Sequence, residues 1–489
     1  MSDKTMRTGL GLVFASMVLA GCANYHGLNP QGISLDAQQL KAGHSFKNVS
    51  VTPAAWPEKE WWSRLGDQQL NSLVAQALRD SPDMQVASAR THQATAAARS
   101  ANAARMPTLD ANGDVTRSRL SRSHDPSGQG GRYSTERDLN LTFNYTFDLW
   151  GGQRAAWEAA LGEARAAEVD GQAARLTLAG DVARAYSNLG HAFQVRDLSQ
   201  EDLQRTRKML DLSKRRLASG IDSHYQFQQT ESLEASAQEQ LIDAEKQLNS
   251  ARIALAVLLG KGPDRGQEIT RPNKLAPGAV ALPSTLPADL LGRRPDVVAA
   301  RWRVEAASKN IAAAKTRFYP NLNLTAAAGT QSLLGDALFG SASRFFNIAP
   351  ALTLPIFDGG RLRAGLDAED ANYDLAVAQY NKTVVGALGE VSDTLGQLGA
   401  TGRQITAQQR AADIAQDSYD TVLQRYGSGV GNYLDVLSIE QQLLQAQRQL
   451  ADLNAQQIDL SIQLMQALGG GFEPAHTALA VPSQASLAE

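Results

Sequence analysis

The sequence predicts a mainly α chain with a transmembrane β-barrel, built from two structural repeats. Four strands per chain close a trimeric barrel of about twelve strands above a long α-helical periplasmic tunnel. Three observations carry this reading. Residues 139–150, LNLTFNYTFDLW, alternate apolar and polar side chains without a break, inside a chain otherwise rich in helix formers. Five landmarks recur in the same order at an offset of about 210 residues, the signature of an internal duplication. And the stretch from about 152 to 218 reads as one unbroken helix of roughly 100 Å, too long for a globular domain and too polar for a membrane span.

At the start of the chain, Lys4 and Arg7 precede an apolar stretch from Leu10 to Ala20, which marks residues 1–21 as a signal peptide. It ends in Leu19-Ala20-Gly21-Cys22, which resembles the bacterial lipoprotein box. Cys22 is the lone cysteine of the 489 residues, so no intrachain disulfide or CxxC site exists, and acylation is its expected fate. Ala23 follows it, where an Asp would favour inner-membrane retention, so outer-membrane sorting is expected. The net charge of −3 gives no reason to expect nucleic acid. After the N-terminus no apolar run approaches the 18–20 residues of a spanning helix.

Residues 22–70 are assigned as the lipidated segment and part of an equatorial domain, and repeat 1 as 71–260. A helix opens at Pro82, where a first-turn Pro has no N–H to lose. Pro107 breaks it and starts a hairpin, 107–148, around the polar loop SHDPSGQGGRYS. A long helix, 152–218, ends at Gly220, and a last helix covers 222–259. Residues 261–292 form a linker that returns to the equator. Repeat 2, 293–469, has the same plan: a helix from Pro295, a hairpin 320–357, a long helix 359–427 and a helix 432–468. The tail, 470–489, completes the equatorial belt. The aligned landmarks are Pro82 with Pro295, Pro107 with Pro320, Asp148 with Asp358, Gly220 with Gly429, and ALAVLLG (254–260) with LMQALGG (464–470). In each repeat the two shorter helices together match the long one, so stacked end to end they would line it. Abundant Ala and few large aliphatics suit a hollow wall.

Period-two alternation places Leu139, Leu141, Phe143, Tyr145 and Phe147 on one face of their strand. Leu352, Leu354 and Ile356 share a face of the last. Strands apolar outside and polar inside make outer-membrane barrels, and only closed barrels or helices satisfy the backbone in lipid. Four strands cannot close, so the barrel must be shared between chains. A soluble β-subdomain packed on the helices is the competing expectation.

Enzyme signatures are missing. GKGP at 260–263 lacks the Walker A frame, Gly427-Ser428-Gly429 is no nucleophile elbow, and the seven His show no HExxH. No catalysis, metal or cofactor is expected beyond covalent lipid on Cys22.

Several stretches together resemble the TolC family of outer-membrane channels, in its lipoprotein branch serving resistance–nodulation–division (RND) efflux pumps. WWSRLGDQQLNSLVAQALRDSPD (61–83) is similar to the family's opening helix. FDLWG (147–151) and LPIFDGGRLRA (354–364) are similar to its barrel-exit signatures, and RYGSGVGNYLDVL (425–437) to its periplasmic tip. The resemblance implies a homotrimer conducting drugs or other small toxic solutes passively. The partners it implies are a periplasmic adaptor, an inner-membrane RND transporter and outer-membrane lipid. It implies that Ser219, Gly220, Ile221, Ser428, Gly429 and Val430 dock the adaptor. It implies a gate at Tyr426 and at Asp435, three copies of which would ring the aperture. The sequence departs from the family where Ser438 holds the second acidic position, Gly431 a latch Arg position and Gln226 an Asp position. A neutral Tyr426–Gln226 hydrogen bond, or packing, would then close the gate. Type I protein secretion and a structural periplasmic lipoprotein are the alternatives.

Overall fold

The computed structural model describes residues 24–35, 52–53, 56–119, 121–123, 130–277, 281–282, 292–333 and 337–473. Cys22 and the tail beyond 473 lie outside the described residues.

Helix α1 (Gln68–Asp80) is capped by Asp67, whose side chain accepts from the Gln69 N–H. Ser81 caps α2 (Pro82–Ala103) in the same way, with Pro82 in the first turn. Strands β1 (Thr108–Arg119) and β2 (Tyr133–Phe147) form the first hairpin, and α3 (Gly152–Ala218) runs for 67 residues. Helix α4 (His224–Leu258) returns, and the short α5 (Asp264–Gln267) follows. The second repeat supplies α6 (Pro295–Thr316), β3 (Asn321–Ser332), β4 (Arg344–Thr353), α7 (Arg361–Gly427) and α8 (Tyr433–Ala467). Helix α7 also has 67 residues, so each long helix spans about 100 Å.

Both long helices start by the same device. Asp148 accepts from the N–H groups of Gln153 and Arg154, and Asp358 from those of Gly360 and Leu362. A carboxylate thus satisfies donors that a helix start leaves orphaned, which explains the FD…G pattern at each strand exit. Helix α3 packs against α2, α4, α6 and α8, while α7 packs against α6 and α8. A Cβ at Gly162 would stand 3.1 Å from the Cβ of Ala306, so small residues let α3 and α6 approach closely.

At mid-height, Trp61, Trp62, Leu70, Leu73 and Val74 bury against Leu178–Phe193 of α3 and the end of α4. The Tyr186 hydroxyl donates to the buried Asp67 (2.7 Å), which also accepts from the Asn273 N–H. Residues 56–80 and 269–276 therefore make an equatorial belt. Residues 24–35 do not join it. They lie along α7 nearer the sheet, where Asp374 accepts from Gln31 and Gly32 and Asn381 accepts from Leu35.

The strands form one antiparallel sheet in the order β1-β2-β3-β4. Its register is unbroken: Leu109 faces Phe143, Phe143 faces Ala326, and Ala326 faces Ile348. Leu141 likewise lines up with Ala111 and Ala328, and Leu322 with Phe147 and Leu352. Directly opposed residues share a face, so the apolar side chains of all four strands merge into one surface. Asn112, Asn140, Thr142, Thr146 and Asn323 occupy the other face and hydrogen-bond across it.

Two boundaries differ from the sequence reading by more than two residues. The first strand of the central pair begins at Tyr133, inside the expected loop. The last strand ends at Thr353, because its partner β3 begins at Asn321 opposite it and Pro355 offers no N–H. Leu354 and Ile356 consequently lie just past the strand, still exposed.

Candidate functional site

The turns at the far ends of the long helices form the first part of the site. Gly220 and Gly429 have φ of 73° and 80°, a left-handed conformation that glycine adopts without a Cβ clash. The Ile221 N–H donates to the Arg216 carbonyl and the Val430 N–H to that of Arg425, closing each helix. Ser219, Gly220, Ser428 and Gly429 are exposed. Ile221 and Val430 are 63% and 74% exposed, with Tyr225 and Leu434 open beside them. These bare aliphatic and aromatic side chains leave an exposed apolar patch at the tip that adds nothing to the core of the bundle. Leu434 also belongs to this surface, whereas Tyr433, Val436, Glu440 and Leu443 are buried in the first turns of α8.

Behind the turns sits a buried polar knot. The Tyr426 hydroxyl donates to Asp222 Oδ2 (2.8 Å), and Arg216 Nε donates to Asp222 Oδ1 (2.9 Å). Arg216 also donates through Nη1 to the Tyr426 carbonyl (3.1 Å) and lies 4.3 Å over the Tyr426 ring. The Asp222 side chain is only 2% exposed. Burial, then donation to Asp222, holds the Tyr426 hydroxyl well above the ordinary tyrosine range. Tyr433 stacks at a tilt on Tyr426 and shares a 2.7 Å hydrogen bond with Thr230. The α3–α4 turn is thereby tied to the α7–α8 turn.

The expected Tyr426–Gln226 hydrogen bond does not form. Gln226 instead closes a capping box, with its side chain accepting from the Ser223 N–H (2.8 Å) and its own N–H donating to Ser223 Oγ. Being the third residue of α4, it is committed to the helix start, and Asp222 takes the tyrosine. Gly431 has a steric reason too: a Cβ there would stand 2.6 Å from the Tyr426 N. Asp435 lies exposed in the first turn of α8.

Sequence reasoning missed Arg216, Asp222, Thr230 and Tyr433. A signal was present for two of them. At the 209-residue offset of the tip, Arg216 matches Arg425 but Asp222 matches Gly431, so one turn carries a charge pair that the other lacks.

Further up the same bundle, Glu440 of α8 and Asp202 of α3 are both buried. Burial first, and the Asp202 charge second, push the Glu440 carboxyl up to about 7, against the opposing pull of Arg205. Burial likewise raises Asp202. Glu440 Oε1 receives no hydrogen bond from the described residues.

The sheet forms the second part. Leu141 and Leu352 are 51% and 69% exposed, Leu139 is exposed, and Phe143, Tyr145 and Phe147 are half-buried. Among the described residues, no large apolar side chain of this face is buried and the sheet does not pack on the helices, contrary to the soluble-subdomain expectation. Trp150 stacks on Tyr319 just below it and donates to the Pro320 carbonyl. Arg363, in the first turn of α7, donates to the carbonyls of Asn24 and His26, and Tyr25 shares a 2.9 Å hydrogen bond with Tyr319. Residue 24 is therefore held directly beneath the sheet. Among the described residues no helix is long and apolar enough to cross a membrane, and no cluster of three metal-ligating side chains occurs.

Comparison with known proteins agrees with this architecture. The family model described as outer membrane efflux protein matches residues 73–261 and 286–470, one segment per repeat. The fusaric acid resistance protein FusA of Burkholderia cepacia is 38% identical over 373 residues, 74% of this chain and 69% of that protein. The multidrug resistance outer membrane protein MdtP of Escherichia coli K12 is 30% identical over 391 residues, 77% of this chain and 78% of that one. The outer membrane protein VceC of Vibrio cholerae superposes with a TM-score of 0.78 at 37% identity, covering 86% of this chain and 100% of that one. The CmeC outer membrane channel of Campylobacter jejuni shares the fold, with a TM-score of 0.81 at 23% identity over 91% of this chain and 95% of that one. With both repeats matched and the fold shared from sheet to tip, the chain belongs to the outer membrane efflux protein family.

Proposed function

We propose that three copies of this chain form the exit duct of a tripartite efflux system in a Gram-negative outer membrane. Solute from an inner-membrane RND-type transporter reaches it through a periplasmic adaptor seated on the Ile221 and Val430 turns. The names of its relatives point to small toxic organic molecules as cargo. The duct is passive: the pump supplies the energy, and the chain performs no chemistry. Acyl chains on Cys22 anchor each protomer, a reading supported by residue 24 lying beneath the sheet. The Tyr426–Asp222–Arg216 knot holds the resting state, and three copies of Asp435 line the aperture.

One observation carries this proposal. A single unbroken register collects the apolar side chains of four strands on one exposed face, while β1 and β4 each leave one edge unpaired. Such a sheet is stable in lipid only if its edges close, and β4 of one copy on β1 of the next does so. The test is Cys22→Ser with the signal retained. Outer-membrane fractionation of an SDS-sensitive trimer that conducts in planar bilayers is the expected result. Recovery as a periplasmic monomer refutes the duct.

A further inference from the structure

The charges of the sheet are sorted by face. Its strands carry eight charged residues: Arg117, Arg119, Arg137 and Arg344, and Asp110, Asp114, Glu136 and Asp138. Alternation and register put all four arginines on the apolar face and all four acids on the other. Arg117 and Arg119 continue the row of Leu109, Ala111 and Val115. Arg137 continues Leu141 and Leu139, and Arg344 continues Ile348 and Phe346. Side-chain contacts agree: Arg117 and Arg119 both lie over the exposed Tyr133 ring, at 5.3 and 5.7 Å. On the opposite face Gln331 bonds to Glu136, and Thr116 donates to Asp114.

All four arginines lie toward the end of the sheet far from the helices: Arg344 stands level with Leu139 through Thr330, Arg137 opposite Val115, and Arg117 and Arg119 beyond them opposite Thr135 and Tyr133. From Phe147 to Arg137 is ten residues, about 34 Å along a strand and about 26 Å of vertical rise at barrel tilt, close to the ~25 Å of an apolar band. The rim at that level meets the headgroups of the outer leaflet. Closure of β4 on a neighbouring β1 would put Arg344 on the strand adjoining the one that carries the next copy's Arg117 and Arg119.

We infer that Arg117, Arg119, Arg137 and Arg344 form a basic girdle that binds the phosphate groups of a phosphorylated outer-leaflet glycolipid. This rests on the reading that the apolar face meets lipid. An isolated arginine on a lipid-facing strand is costly, and it becomes favourable at the interface when it pairs with phosphate through its planar fork. No acid on the same face of the sheet competes for these guanidinium groups. Tyr133 adds the amphipathic ring expected at a membrane boundary.

The test uses the full-length trimer in detergent, with lipid binding read by native mass spectrometry. Bis-phosphorylated lipid A, its dephosphorylated form and inorganic phosphate are the probes. The expected result is retention of the phosphorylated lipid over the dephosphorylated one, no competition by millimolar inorganic phosphate, and about a fivefold loss of affinity per arginine replaced by glutamine. Equal retention of both lipids overturns the proposal, as does displacement by free phosphate. Those comparisons need only the wild-type protein, so failure of R117Q/R119Q/R137Q/R344Q to assemble leaves them decisive. A separate arm tests the underlying reading, in which Leu141→Trp is quenched by brominated lipid. Loss of that quenching sinks the lipid-facing assignment. Quenching without phosphate preference sinks only the girdle.

Discussion

Glu440 is a carboxyl with no room for its charge. Asp202 and Arg205 of α3 face it, Tyr419 of α7 lies nearby, and its own helix adds Tyr433. A raised pKa means that the folded bundle holds this proton more tightly than the unfolded chain does. The contribution is fully present below the unfolded value of about 4.5 and is lost as pH rises through about 7. The raised Asp202 acts in the same direction. Thermal unfolding of the wild type should therefore be less favourable at pH 5 than at pH 8. Glu440→Gln has no proton to lose and should gain on the order of 2 kcal/mol relative to wild type at pH 8. Parallel pH profiles for the two proteins would reject the assignment. Nothing in the sequence around Glu440 announced this: IEQQLLQ reads as an ordinary helix stretch, and burial beside Asp202 depends on how α3 and α8 come to lie together.

At the scale of elements, what matters is how a helix end is held. The starts of α2, α3, α6 and α7 were legible because caps are local: Pro at the first turn, Asp before Gly, Ser before Pro. The tips were legible as turns for the same reason, since only glycine takes positive φ freely. The bond between the two turns was not. Asp222 and Tyr426 are 204 residues apart, and the choice of Asp222 over Gln226 was made by the capping box of α4. Asp222→Asn should expose the importance of this tie, because it leaves Arg216 buried without its counter-charge, at a cost of about 3–5 kcal/mol. Conductance in planar bilayers should rise as the α7–α8 turn frees itself from the α3–α4 turn. Wild-type conductance in a correctly assembled D222N trimer would show that the knot is structural only.

For the whole molecule, the charges on the polar face of the sheet are expected to bias which ions the duct passes. Asp114 sits directly opposite Asp138, with Glu136 next to it, and three copies would multiply these charges around one lumen. A ring of carboxylates concentrates cations and repels anions. Asp138→Asn should lower the cation-to-anion permeability ratio several-fold, read as a reversal potential under a salt gradient. Asp435→Ala in the same bilayers separates the contribution of the tip. If both variants keep the wild-type reversal potential, selectivity lies elsewhere along the tunnel.

Periodic and local features were determined by the sequence alone: the duplication, the faces of the strands, the starts of the helices and the two glycine turns. Each depends on neighbours within a few residues, or on a repeat that copies them, so chain order suffices. The tertiary structure decided the rest. It ended β4 at Thr353, laid residues 24–35 along α7, paired Tyr426 with Asp222, and buried Glu440 beside Asp202. Those outcomes depend on which helices share a seam and how deeply water is excluded there, and neither can be read from spacing along a chain.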